Sequence, residues 1–153
     1  MNSQTFVYVT YIATTPDKLW VALTAPEFTR QYWAGCWQKS DWKVGSSWDL
    51  MTPDGHVGDS GEILELDPPR RLVVTWDHQL FEEFRGLGVT RATFEIEPSG
   101  EVVKLTVTHE APQTAAKLLD ALSSGWPGIL SSLKTLLETG KALPGTDKWP
   151  DGV

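Results

Sequence analysis

The chain has 153 residues, enough for one domain with a substantial core, and its 41% hydrophobic and 22% charged content is ordinary for a water-facing protein. A net charge of −7, with no Lys/Arg cluster beyond Arg70-Arg71, excludes a phosphate backbone, so no nucleic acid partner is expected. No apolar run reaches about 18 residues, the start MNSQTFVYVTYI lacks a signal-peptide pattern, and Cys36 is the single cysteine. Those features predict a cytoplasmic protein with no membrane insertion and no internal disulfide.

Residues 6–12, FVYVTYI, are β-branched and aromatic with apolar side chains on both faces, and they predict a well-covered strand. Thr15 then suits a helix N-cap, Pro16 its first position and Asp17 the positive end of its dipole. Leu19, Trp20 and Leu23 form the buried face of that helix. A second short helix opens at Pro26, with Phe28, Tyr32 and Trp33 pointing inward.

From residue 35 to 110, strand-like runs alternate with turn residues at short intervals. Pro53-Asp54-Gly55 separates residues 47–51 from 61–66, because proline presets φ and glycine accepts a positive one. Asp67-Pro68-Pro69 precedes a strand over 71–76, and Pro98-Ser99-Gly100 joins 89–97 to 101–110 as a hairpin. Leu72, Val74 and Trp76 share one face, as do Ala92, Phe94 and Ile96, and Val103, Leu105, Val107 and His109. The opposite positions, including Arg91, Thr93, Glu95, Lys104, Thr106 and Thr108, read as solvated. Residues 77–88, DHQLFEEFRGLG, have no clear period and predict a loop or short lid-like excursion.

Residues 113–139 carry Ala115, Leu119, Leu122, Trp126, Leu130, Leu133 and Leu137 at steps of three and four, one apolar stripe along a helix. Each such side chain contributes about 1.5–3 kcal/mol when buried, so the stripe demands a large apolar partner. Pro127 predicts a kink or restart near residues 123–125, and Gly140 suits a left-handed C-cap. The tail over 142–153 reads as irregular, with Trp149 a residue that could dock on the body. One strand, two short helices, a meander and a long helix predict an α+β fold: a curved antiparallel sheet of six or seven strands wrapped around the C-terminal helix.

Several strings resemble the SRPBCC, or START-like helix-grip, superfamily. They are ATTPDKLWVAL (13–23), Tyr32-Trp33, SDWKVG (40–45), GEILELDPPRRLVVTW (61–76), LTVTH (105–109) and GWPGILSSLKTLLETG (125–140). Within that superfamily the chain is most similar to the homologues of the activator of the 90-kDa heat-shock protein's ATPase. The resemblance implies a helix-grip fold with a cavity between sheet and long helix. It also leaves chaperone binding as an alternative partner, and fold alone does not fix function.

Eight tryptophans suit an apolar-lined cavity equally well as wall or as filling. The residues expected to face it are Trp33, Trp48, Trp76, Phe94, Leu105, His109, Trp126 and Leu130. His109 ends an inward row beside the long helix, where it would stand at the cavity mouth or close the strand end through hydrogen bonds. His56, His78 and His109 have no metal-ligand spacing, so neither metal nor cofactor is expected, and Asp54–His56 and His78–Glu82 read as solvated loop pairs. Gly58-Asp59-Ser60-Gly61 reads as a turn and strand start, and Cys36 as a small buried hydrophobe more than a nucleophile. Glu82-Glu83 and Asp41 read as solvated, and Gly86-Leu87-Gly88 lacks the context of a dinucleotide site.

Three functions fit these observations. The leading one is a module that binds an apolar or aromatic small molecule. A chaperone-associated or self-associating protein, such as a homodimer, is the second. The third is a cyclase- or hydrolase-like enzyme built on His109, for which no convincing second acid–base residue is evident, so no catalytic residue is assigned.

Overall fold

The computed structural model describes residues 3–147, so the suggested docking of Trp149 lies outside the described residues. The chain forms β1 (Ser3–Ile12), α1 (Pro16–Thr24), α2 (Pro26–Tyr32), β2 (Trp37–Ser40), β3 (Ser47–Met51), β4 (Val57–Asp67) and β5 (Arg71–Trp76). After an excursion come β6 (Thr90–Ser99), β7 (Val102–Pro112) and α3 (Ala116–Thr139). All strands pair antiparallel in one curved sheet, in the order β1-β7-β6-β5-β4-β3-β2. The last strand therefore inserts beside the first, and α3 returns across the face they share.

Local chemistry accounts for the element ends. Thr15 Oγ1 accepts from the Lys18 N–H at 3.3 Å and Pro16 sits in the first turn, as the capping pattern predicts. Gly55 turns at φ +88° between β3 and β4, and Gly140 caps α3 at φ +87° with its N–H on the Leu136 carbonyl. At Gly61 a Cβ would run into the Thr75 carbonyl oxygen and lie 2.6 Å from Trp48 Nε1, so the close approach of β4 to β5 requires glycine there.

The inward rows are in place: Leu72, Val74, Trp76, Ala92, Phe94, Ile96, Val103, Leu105 and Val107 are all buried against α3 and the short helices. Four details differ from the sequence-based expectation. β1 is not covered on both faces: it is a sheet edge, and Val7, Val9 and Tyr11 are 53, 45 and 49% exposed on its outer side. Thr93 is buried rather than solvated, because it lies mid-sheet between Val73 and Thr108 on the flanking strands. The string Gly58–Gly61 is no turn; it runs inside β4, which starts at Val57.

The fourth difference concerns α3. No restart occurs at residues 123–125: one helix runs through Pro127. Ser123 Oγ donates to the Leu119 carbonyl at 2.8 Å and Ser124 Oγ to that of Asp120 at 3.2 Å, bracing the turn before the proline. Trp126 and Leu130, on either side of it, are both anchored in the same core, which offsets the one lost backbone bond.

Candidate functional site

Where α3 crosses the sheet, four tryptophans from four elements meet. Trp33 follows α2, Trp48 lies on β3, Trp76 ends β5 and Trp126 lies mid-way along α3. Ring centroids are 5.4 Å apart for Trp33–Trp126, 5.9 Å for both Trp33–Trp76 and Trp76–Trp126, and 4.8 Å for Trp48–Trp76. The tilted and edge-on angles suit rings with negative faces and positive edges.

Behind this cluster runs a chain of buried polar groups. Trp126 Nε1–H donates to His109 Nδ1 at 3.1 Å. Burial, then the neighbouring His78, pushes the His109 pKa down to about 3, so its ring is neutral near pH 7. With Nδ1 accepting, the proton must sit on Nε2, which donates to Thr90 Oγ1 at 2.7 Å. Thr90 in turn meets His78 Nε2 at 3.0 Å, and His78 Nδ1 faces Asp59 Oδ2 at 3.6 Å. The acid at the end of this chain is fully engaged: Oδ2 accepts from Trp76 Nε1 at 2.9 Å, and Oδ1 from the Gln79 and Leu80 N–H groups at 2.9 and 2.8 Å. Burial works to raise the Asp59 pKa, but the facing His78 and the hydrogen bonds from Trp76 and Leu80 outweigh it and hold the carboxyl below its usual value.

In front of the tryptophans lies a partly open cavity of about 380 Å³. Trp33, Trp76 and Trp126 form its floor with Cys36, Leu50 and Ile129. Leu80, Phe81 and Phe84 from the excursion form one rim, while Leu118, Ala121 and Leu122 of α3 form the other. Asp59 and His78, with the Cys36 thiol, supply its ionisable groups. Asp59 also ties down the root of the excursion through its two backbone partners, which sets where Leu80 and Phe81 stand. At the far end Thr114 Oγ1 donates to the Leu87 carbonyl at 3.0 Å. Cys36 is 2% exposed, and burial followed by the Asp59 charge pushes its thiol up to about 12, so it is protonated and no nucleophile at neutral pH.

Of the eight residues singled out from the sequence, Trp33, Trp76 and Trp126 line this cavity. Trp48 and Phe94 lie behind Trp76 around a gap of only about 10 Å³, and Leu105 and Leu130 are core residues, 0 and 1% exposed. His109 is not at a mouth: it is 0% exposed with both ring nitrogens bonded, because Trp126 lies across it. That removes the acid–base group on which an enzymatic reading depended. The sequence pattern places Asp59 in a turn and His78 on a solvated loop, yet they are 7 and 6% exposed, and His78 faces Asp59 rather than Glu82. The signal was available: a period of two carried back from Ile63 reaches Asp59, and carried on from Trp76 it reaches His78. The bridge between Ser60 and Asp77 shows that the ladder does continue that far. Asp54 and His56 stay on an exposed turn 3.6 Å apart. Among the described residues, no group of three or more His, Cys, Asp or Glu side chains could hold a metal ion.

The family model described as activator of Hsp90 ATPase homolog 1-like protein matches residues 13–138, most of the chain, from the end of β1 almost to the end of α3. The chain belongs to this family. Its solved relatives in the fold include the protein MLL2253 from Mesorhizobium loti, with a TM-score of 0.73 at 23% identity over 88% of this chain and 96% of that one. The Aha1 dimer from Colwellia psychrerythraea superposes with a TM-score of 0.71 at 20% identity, covering 91 and 99% of the two chains. PFC0360w, an HSP90 activator from Plasmodium falciparum, gives 0.69 at 22%, covering 87 and 95%. No match is found among the curated proteins. At these identities the structural likeness speaks for the fold. What the cavity can hold therefore follows from its own residues. No helix among the described residues is long and apolar enough to cross a membrane.

Proposed function

We propose that this Aha1-like protein is a small-molecule-binding domain that holds an apolar or aromatic ligand between α3 and the excursion over residues 77–89. The observation that carries the reading is the cavity of about 380 Å³ floored by Trp33, Trp76 and Trp126, a size and lining suited to a small ligand. Aromatic rims at Phe81 and Phe84 extend the same surface outward. Intrinsic tryptophan fluorescence and thermal unfolding, followed against a panel of lipids, aromatics and polyketides, test it. Quenching together with a raised melting temperature is the expected result; no response to any member defeats the reading.

A second reading is association with protein. The family match and the relatives described as an Aha1 dimer and an HSP90 activator favour it, as does the exposed row Val7, Val9 and Tyr11 on edge strand β1. Affinity capture with a 90-kDa chaperone and mass measurement in solution test its two forms. A monomer that captures no chaperone would defeat both.

A further inference from the structure

We propose that Asp59 makes this cavity selective for uncharged aromatic ligands and closes it to carboxylates, including fatty acids and aromatic acids. The inference rests on the reading of the cavity as a ligand site and names the chemistry that site accepts. Asp59 is 7% exposed and lines the cavity. Its oxygens are occupied by the protein's own donors, namely Trp76 Nε1 and the Gln79 and Leu80 N–H groups, with His78 Nδ1 at 3.6 Å. Those bonds keep the carboxyl ionised while leaving little of it for a ligand to bond.

The other polar groups are similarly committed. His78 Nε2 is engaged with Thr90, and the Trp126 N–H is spent on His109. Among the described residues no lysine or arginine lines the cavity, and His78 is already turned to Asp59 through Nδ1 and to Thr90 through Nε2, so an entering carboxylate would meet a fixed anion with no free countercharge. An entering ammonium would be attracted by Asp59 but would leave most of its N–H donors without an acceptor. An uncharged ring loses nothing on desolvation and gains the faces and edges of Trp33, Trp76 and Trp126.

Three probes that share one ring system test this by calorimetry on the full chain: 2-methoxynaphthalene, 2-naphthylmethylamine and 2-naphthoate. The methoxy compound should bind tightest, the amine less tightly, and the acid at least about tenfold more weakly than the methoxy compound. Asp59→Asn should raise naphthoate affinity by about tenfold relative to that of methoxynaphthalene measured on the same variant. Should that variant fail to fold, Leu122→Lys places a countercharge on the rim and should likewise raise naphthoate affinity. Naphthoate binding as tightly as methoxynaphthalene to the unaltered protein overturns the proposal, and so does a folded Asp59→Asn or Leu122→Lys protein with unchanged naphthoate affinity relative to methoxynaphthalene. If none of the three probes binds, the ligand-site reading itself falls, a result distinct from binding without discrimination.

Discussion

The two halves of α3 carry the same leucine-rich stripe and meet different surroundings. From Trp126 onward, Leu130, Leu133 and Leu136 are 1, 0 and 6% exposed in the main core. Their half is tied to the end of β1: Lys134 Nζ donates to the Tyr11 carbonyl at 2.6 Å, and Glu138 accepts from the Ala13 N–H at 2.8 Å. Before Trp126, Leu118 and Leu119 join a separate small cluster with Ala111 and Ala115, while Leu122 is half-buried and Ala121 and Gly125 are exposed along the cavity. One periodicity thus serves as a structural clamp at one end and as the wall of an unfilled space at the other. Packing density, and not hydrophobic pattern, separates a core position from a site position.

The sharpest way to break this comparison is to truncate a leucine in each half. Leu133→Ala should cost about 3 kcal/mol in urea unfolding, because its neighbours cannot collapse into the space. Leu122→Ala, beside a space that already exists, should cost less than about 1 kcal/mol and instead alter ligand affinity. Equal losses at the two positions would refute the division of the helix.

Acid probes the junction between the halves, where Trp126 covers His109. The folded-state pKa of His109 lies near 3 and the ordinary histidine value near 6.5, so between these values the unfolded chain binds a proton that the native protein does not. Its contribution is therefore fully present above about pH 6.5 and lost as pH falls, by about 1.4 kcal/mol per pH unit within that window. Unfolding followed at pH 7.5 and 5.0 should differ by about 2 kcal/mol, and His109→Gln should flatten that dependence. A flat profile for the unaltered protein would show that the histidine is not sealed.

Removing only the N–H above it is a finer cut. Trp126→Phe keeps a ring in place but leaves His109 Nδ1 without its donor, and should cost about 1–2 kcal/mol beyond the lost ring area, read as a shift in urea midpoint. The smallest effect belongs to the surface tie. Lys134→Met removes both the bond to the Tyr11 carbonyl and an ion pair to Glu138 whose partners are 38 and 28% exposed, and should cost about 0.5–1 kcal/mol, less in high salt. Amide exchange at Ala13 should quicken in that variant, since Glu138 would lose its fixed position.

Much of the architecture could be read before folding was considered. Strand and helix periods put Leu72, Phe94, Leu105 and Leu133 in the core, and Thr15, Pro16, Gly55 and Gly140 mark ends that follow from side-chain and backbone chemistry alone. The site was less legible. Trp33, Trp76 and Trp126 stand out as large rings on inward faces, but nothing in their spacing separates them from Trp48 or Phe94, which have almost no space beside them. Asp59 and His78 sit in short polar strings whose one-dimensional pattern resembles a turn and a loop. Their burial depends on ladder pairing between residues 60 and 77, a non-local event.

The sequence by itself determined the order of most elements, the inward faces of β5, β6 and β7 and the long amphipathic helix, because these follow from periods of 2 and 3.6 acting over a few residues. Only the tertiary structure decided which inward residues are packed solid and which border a space. It also decided that His109 is shut away while Asp59 lines the cavity. Those outcomes turn on where α3 and the excursion over 77–89 come to rest across strands distant in the chain, and burial, proton affinity and free volume exist only once those surfaces meet.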